Sequence, residues 1–174
     1  MESSHSVWAE PPAKNRYDRV VTRANRLVNA YFALLAIPLT WWLIRVLNTD
    51  WTPNGDLAIA AIKVNDVFST DPPLLGMPST STTAVPGNTA HHPGALQFYV
   101  LALGYRISGG APASLLIGST ALLLVLSWFT LRAGHAAYGH RGLSITFVFL
   151  FHKLTALGLH TAVPWNPWPA QVAS

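Results

Sequence analysis

No cysteine occurs in this chain, which excludes disulfides, thiolate metal sites and a cysteine nucleophile. Charge is nearly as scarce. Asp, Glu, Lys and Arg together make up 10% of the residues, and only seven of these are acidic. A soluble domain carries roughly 25% charged residues, so a conventional water-facing surface is not expected. Also missing are a glycine-rich phosphate loop, the ligand spacings of a zinc site, a heptad pattern and any internal repeat. What is abundant is apolar: 51% hydrophobic residues, seven of them tryptophan, gathered in long runs.

The few cations are informative by position. Lys14, Arg16, Arg19, Arg23 and Arg26 lie just before the first apolar run, where the positive-inside rule assigns them to the cytoplasm. About 26 mostly polar residues precede that run, too many for the charged head of a cleavable signal, so an uncleaved anchor is expected. Residues 1–13 are small, polar and proline-containing, which predicts a disordered tail. The run 27–47 holds 21 residues, and at 1.5 Å per residue it covers a hydrocarbon core of roughly 30 Å. Pro38 should kink it, and Trp41, Trp42, Arg45 and Trp51 should anchor its far end at the interface.

Two further runs reach spanning length, 113–131 and 143–163, and the Arg132, His135, His140, Arg141 loop between them returns to the cytoplasm. The expected fold class is therefore an all-α membrane protein with three transmembrane helices. Its order is a cytoplasmic tail (1–26), a span (27–47), an external loop (48–112), a span (113–131), a cytoplasmic loop (132–142), a span (143–163) and an external end (164–174). Within the external loop, two short apolar segments, about 55–69 and 94–108, predict interfacial helices. The first is stopped by Asp71-Pro72-Pro73; the second is introduced by Pro93 and ended by Gly109-Gly110. The intervening Ser-, Thr-, Pro- and Gly-rich stretch reads as loop.

Chemistry must come from a short set of polar residues. On a helix, Asp66 lies three positions from Lys63 and can pair with it, whereas Asp56 is about 10 Å from Lys63 along the axis and stays alone. Asp56 in a first turn serves either the helix cap and dipole or, as a general base, the removal of a proton from an acceptor hydroxyl. His91 and His92 at a helix entry have three readings: a metal ligand pair, donors to an anionic head group, or a plain interfacial turn. Lys153 near the middle of the third span faces either a polar interior, where it could contact a phosphate, or snorkels outward. Trp165-Asn166-Pro167-Trp168 reads as an aromatic belt, with Asn166 also able to bond a sugar hydroxyl.

The order of these features resembles the N-terminal part of the polytopic GT-C glycosyltransferase superfamily, in particular an actinobacterial group of integral membrane proteins. The resemblance rests on Gly55-Asp56, Asp66-Val67, the run His92-Pro93-Gly94-Ala95-Leu96-Gln97-Phe98-Tyr99 and Pro164-Trp165-Asn166-Pro167, and it covers residues 20–170. It implies transfer of a sugar from a polyprenyl-phosphate-linked donor to a hydroxyl acceptor on the outer side of the plasma membrane. The acidic residue of the first external loop would act at the reaction centre, matching Asp56 first and Asp66 second. His91, His92, Arg106 and Lys153 would stabilise the lipid phosphate, and Asn166 would contact substrate. Partners implied are membrane lipid and the lipid-linked sugar, with no cofactor, no assigned metal ligand and no nucleic acid. Members carry more spans than this sequence does. That predicts either the front part of a longer enzyme or a non-catalytic subunit that packs against a larger membrane complex. A transporter is disfavoured, because three spans cannot enclose a path without oligomerising.

Overall fold

A computed structural model describes residues 16–78, 91–92 and 95–156. Its described residues form four helices and no strand: α1 (Arg16–Leu47), α2 (Asp56–Asp66), α3 (Leu96–Ile107) and α4 (Pro112–Ala156). Two of them, α1 and α4, are long and apolar enough to cross a membrane.

α1 passes through Pro38 and buries one stripe, Val28, Leu35 and Leu39, against Leu123, Leu131, Leu143, Leu150 and Leu154 of α4. Tyr31 seals the edge of this core, with its ring 4.8 Å from that of Phe147 and its hydroxyl 3.3 Å from Ser144 Oγ. The other face of α1, with Leu34, Ile37, Trp41 and Ile44, is exposed. A polar stripe would be expected there on a helix in water. After Leu47 the Thr49 hydroxyl donates to the Val46 carbonyl, and Pro53 keeps the next residues from continuing the helix.

α4 is helical over almost its whole length, including most of the 132–142 stretch that its sequence assigns to a loop. The break is confined to Tyr138 (φ −136°, ψ 18°) and Gly139 (φ 61°, ψ −141°). A Cβ built on Gly134 would collide with the Thr146 side chain, and one on Gly142 with the Gly134 carbonyl. In an unbroken helix residues 134 and 146 would stand about 18 Å apart, so the chain must turn back on itself at the break. α4 is thus a helical hairpin whose arms approach closely because glycines face each other near the tip. Reversal in so few residues requires Gly139, whose backbone conformation a side chain would strain.

α2 and α3 form a second, smaller core with the start of α4. Ala60, Ala61, Val64 and Val67 of the α2 region meet Ala95, Phe98, Leu101 and Ala102 around α3, closed by Met77 and Leu115. The alanines keep the two helices close, and Phe98 fills the space between them without exposure. Gly55, at φ 51°, starts α2 where no side chain caps the helix. α3 ends in two hydrogen bonds, Gly109 N–H to Arg106 O and Gly110 N–H to Tyr105 O, with both glycines at positive φ. This is the Schellman arrangement, which explains why the Gly-Gly pair stops the helix. Pro78 and His91 are joined by an isolated bridge, beside which the His92 N–H donates to the Met77 carbonyl at 2.8 Å.

Candidate functional site

Asp56 is exposed in the first turn of α2. Gly55 occupies the cap position, so the carboxylate favours the positive end of the helix dipole and does not cap the helix. Asp66 is the last residue of the same helix, about 15 Å further along the axis. The two candidate carboxylates therefore stand at opposite ends of α2.

The C-terminal end of α2 is the more elaborate. Lys63, Asp66, Asp71 and His91 line a shallow cavity of about 290 Å³ together with Pro72 and Pro73. On a neighbouring face of the same helix end, Val64, Asn65 and Phe68 enclose a cavity of about 280 Å³ with Tyr105, Arg106 and Gly109. Position 66 lies about 100° round the helix from position 65, so these are two adjoining recesses and not one. The Schellman turn opens the second, since Gly109 and Gly110 carry no side chains to fill it.

Arg106 joins that recess to a third. Its guanidinium lies 5.6 Å from the centre of the Phe68 ring, and it also borders an open apolar groove of about 430 Å³ with Phe68, Leu103 and Ile107. Leu103 and Ile107 are exposed, so the groove is an outward-facing surface. Arg106 thus stands where a polar notch meets an apolar groove. An amphiphile with an anionic head needs that juxtaposition: a fixed cation beside a place for hydrocarbon.

Of the residues singled out from the sequence, the structure brings Asp66 and His91 into one recess, and places Arg106 in the next. His92 is held by its backbone N–H on the Met77 carbonyl. Asp56 stands apart. Lys153 belongs to the second arm of α4, its ammonium 5.3 Å from the Phe149 ring centre and partly exposed with it. Pro93, Gly94, Pro164, Trp165, Asn166, Pro167 and the end of the third predicted span lie outside the described residues.

Sequence reasoning missed Asn65, Phe68 and Tyr105 around Arg106. The signal was the Tyr105-Arg106 pair directly before Gly109-Gly110, a helix end able to expose both side chains. It missed also three buried polar atoms without a hydrogen-bond partner: Gln97 Oε1, Thr120 Oγ1 and Ser127 Oγ. Among the described residues no three His, Asp or Glu side chains gather as metal ligands would.

Compared with family models, curated proteins and solved structures, the chain matches none.

Proposed function

We propose that the chain is an integral membrane protein that binds a polyprenyl-phosphate-linked sugar at Arg106. In this reading it acts as a membrane glycosyltransferase, or the N-terminal part of one, toward a hydroxyl acceptor on the outer side of the plasma membrane. The observation that carries the reading is the position of Arg106 at the junction of the polar notch and the apolar groove. Hydrocarbon would cover the exposed apolar faces of α1 and α4, which in water would form patches far larger than a soluble monomer tolerates. The two arms of α4 supply the second and third spans. α2 and α3 lie at the interface on the far side from the basic tail, with Leu103 and Ile107 turned to lipid.

Transfer requires the acceptor oxygen to attack the anomeric carbon while the bond from that carbon to the phosphate oxygen breaks. The acceptor proton goes to a carboxylate, and the charge developing on the leaving phosphate is met by the guanidinium of Arg106. Asp66 shares the Arg106 end of α2, and His91 borders its recess. Asp56 is a helix length away. The geometry therefore favours Asp66 as the base, although the resemblance ranks Asp56 first. The test is transfer of labelled sugar from a lipid-phosphate donor by membranes carrying each variant. Asp66→Asn should abolish transfer while Asp56→Asn retains it; the opposite result would return the role to Asp56, and activity in both variants would remove carboxylate catalysis.

One observation favours the alternative of a non-catalytic subunit: Asp56 and Asp66 stand at opposite ends of α2, and Lys153 belongs to the last turn of α4. In that reading the apolar surface of α1 meets a larger membrane partner. Purification as a lone monomer in mild detergent would oppose it.

A further inference from the structure

We infer that the opposite, basic end of the molecule is a binding site for the phosphodiester head groups of anionic membrane phospholipids, held between α1 and the tip of the α4 hairpin. The inference rests on the membrane reading above but not on sugar transfer, and it uses none of the residues around Arg106.

Arg132 is the centre of this end. It donates a hydrogen bond from Nη1 to Asn25 Oδ1 at 3.2 Å, which joins α4 to α1, and its guanidinium lies 5.0 Å from the Trp128 ring centre. These contacts fix its position while using one of five N–H donors. Arg23 and Arg26 flank Asn25 in sequence and are exposed, and Arg141 is exposed just beyond the turn. The hairpin tip is compact: the His135 and His140 rings meet edge to face at 5.6 Å. Four permanent cations are thus assembled at one end by tertiary structure, from segments more than a hundred residues apart.

Among the described residues little negative charge answers them. Asp18, in the first turns of α1, is the one acidic residue in the sequence of α1, and α4 contains none. Asp50, Asp56, Asp66 and Asp71 follow the other end of α1 or belong to the α2 region. Among the described residues these cations outnumber the one acidic residue at their end, Asp18, and such an excess is stabilised by bound anions. Guanidinium groups match phosphate oxygens in planar, two-bond geometry. Trp128 and the tip residue Tyr138, 79% exposed, are rings of the kind that settle at head-group level. An anion at that level, with acyl chains running along the apolar arms of α4, is a phospholipid. A free phosphate ion would use the cations but not the flanking apolar surface.

The experiment is native mass spectrometry of the full chain from nanodiscs holding equal phosphatidylglycerol and phosphatidylcholine. Wild-type protein should retain phosphatidylglycerol in several-fold excess, inorganic phosphate at millimolar concentration should not displace it, and raising salt should reduce the preference. Arg132→Gln and Arg141→Gln should each lower the preference about fivefold, as expected for one basic residue at a charged membrane surface. Arg23→Gln with Arg26→Gln, exposed on α1 and outside the hairpin itself, gives the same readout if the Arg132 variant fails to fold. Equal retention of the two lipids by wild type, or an unchanged preference in folded variants, overturns the inference. Displacement by inorganic phosphate would also overturn it, in favour of a plain anion site. Loss of all lipid retention and of membrane insertion would instead implicate the membrane reading.

Discussion

The guanidinium of Arg106 lies 5.6 Å from the ring centre of Phe68, tying the last turn of α3 to the second residue beyond α2. A contact of this kind contributes about 0.5–1 kcal/mol at an exposed site. It orients the cation without saturating its donors, so a phosphate can still be bound.

Replacing Arg106 with Ala should therefore leave the fold intact, because the side chain is exposed, and weaken binding of a short-chain polyprenyl phosphate by at least about tenfold, as loss of a charge-assisted hydrogen bond does. Arg106→Lys should recover part of the affinity, keeping the charge but losing the planar donor pair. Titration in detergent with circular dichroism as the fold control checks both.

Phe98 has no exposed surface and is the largest side chain in the α2–α3 core. Phe98→Ala should cost about 3–5 kcal/mol in that core. Limited proteolysis should then cut within 48–110 while the α1–α4 bundle, which has its own buried cluster, stays protected.

The glycines separate close packing from backbone conformation. Gly142→Ala should destabilise by about 1–3 kcal/mol, since the added methyl meets the Gly134 backbone. Gly139→Ala should also destabilise, by about 1–3 kcal/mol, although nothing lies within 4 Å of its added methyl, because φ is 61°. Gly104→Ala, in helical backbone with open space around it, should stabilise by about 0.5–1 kcal/mol. Thermal unfolding in one detergent orders the three.

The absence of cysteine makes topology directly measurable. A single cysteine at Tyr138 should be labelled by an impermeant maleimide only after the cells are opened, whereas one at Leu74 should be labelled on intact cells. Both positions are exposed in the fold, so failure to label cannot be due to burial. Labelling of both from one side would contradict the odd number of crossings between them.

The helices were legible in the sequence where an apolar run ended at a hard signal. Gly109-Gly110 stopped α3, because a positive φ acts locally, whereas α2 ended at Asp66, ahead of the Asp71-Pro72-Pro73 signal. The hairpin turn was misread as an eleven-residue loop, since Arg132, His135 and His140 look like loop residues but are also acceptable on an exposed helix. The tight turn needs Gly139 at positive φ, and the close approach of the arms needs the meeting of Gly134 with Thr146 and Gly142, a tertiary contact with no local signature. The candidate site was legible only in its parts. Asp66, His91 and Arg106 were marked by being polar among apolar residues, but their grouping at one end of α2 depends on how α3 packs, and Phe68 looked like ordinary interfacial apolar surface.

The account is tested most directly by photo-crosslinking a polyprenyl-phosphate sugar that carries a diazirine on its first isoprene unit, followed by peptide mapping. The prediction is adducts at Phe68, Leu103 or Ile107 that disappear with excess unlabelled lipid and in Arg106→Ala. Adducts spread over the outer face of α1 at Leu34, Ile37 and Ile44, insensitive to competitor and to Arg106, would contradict it.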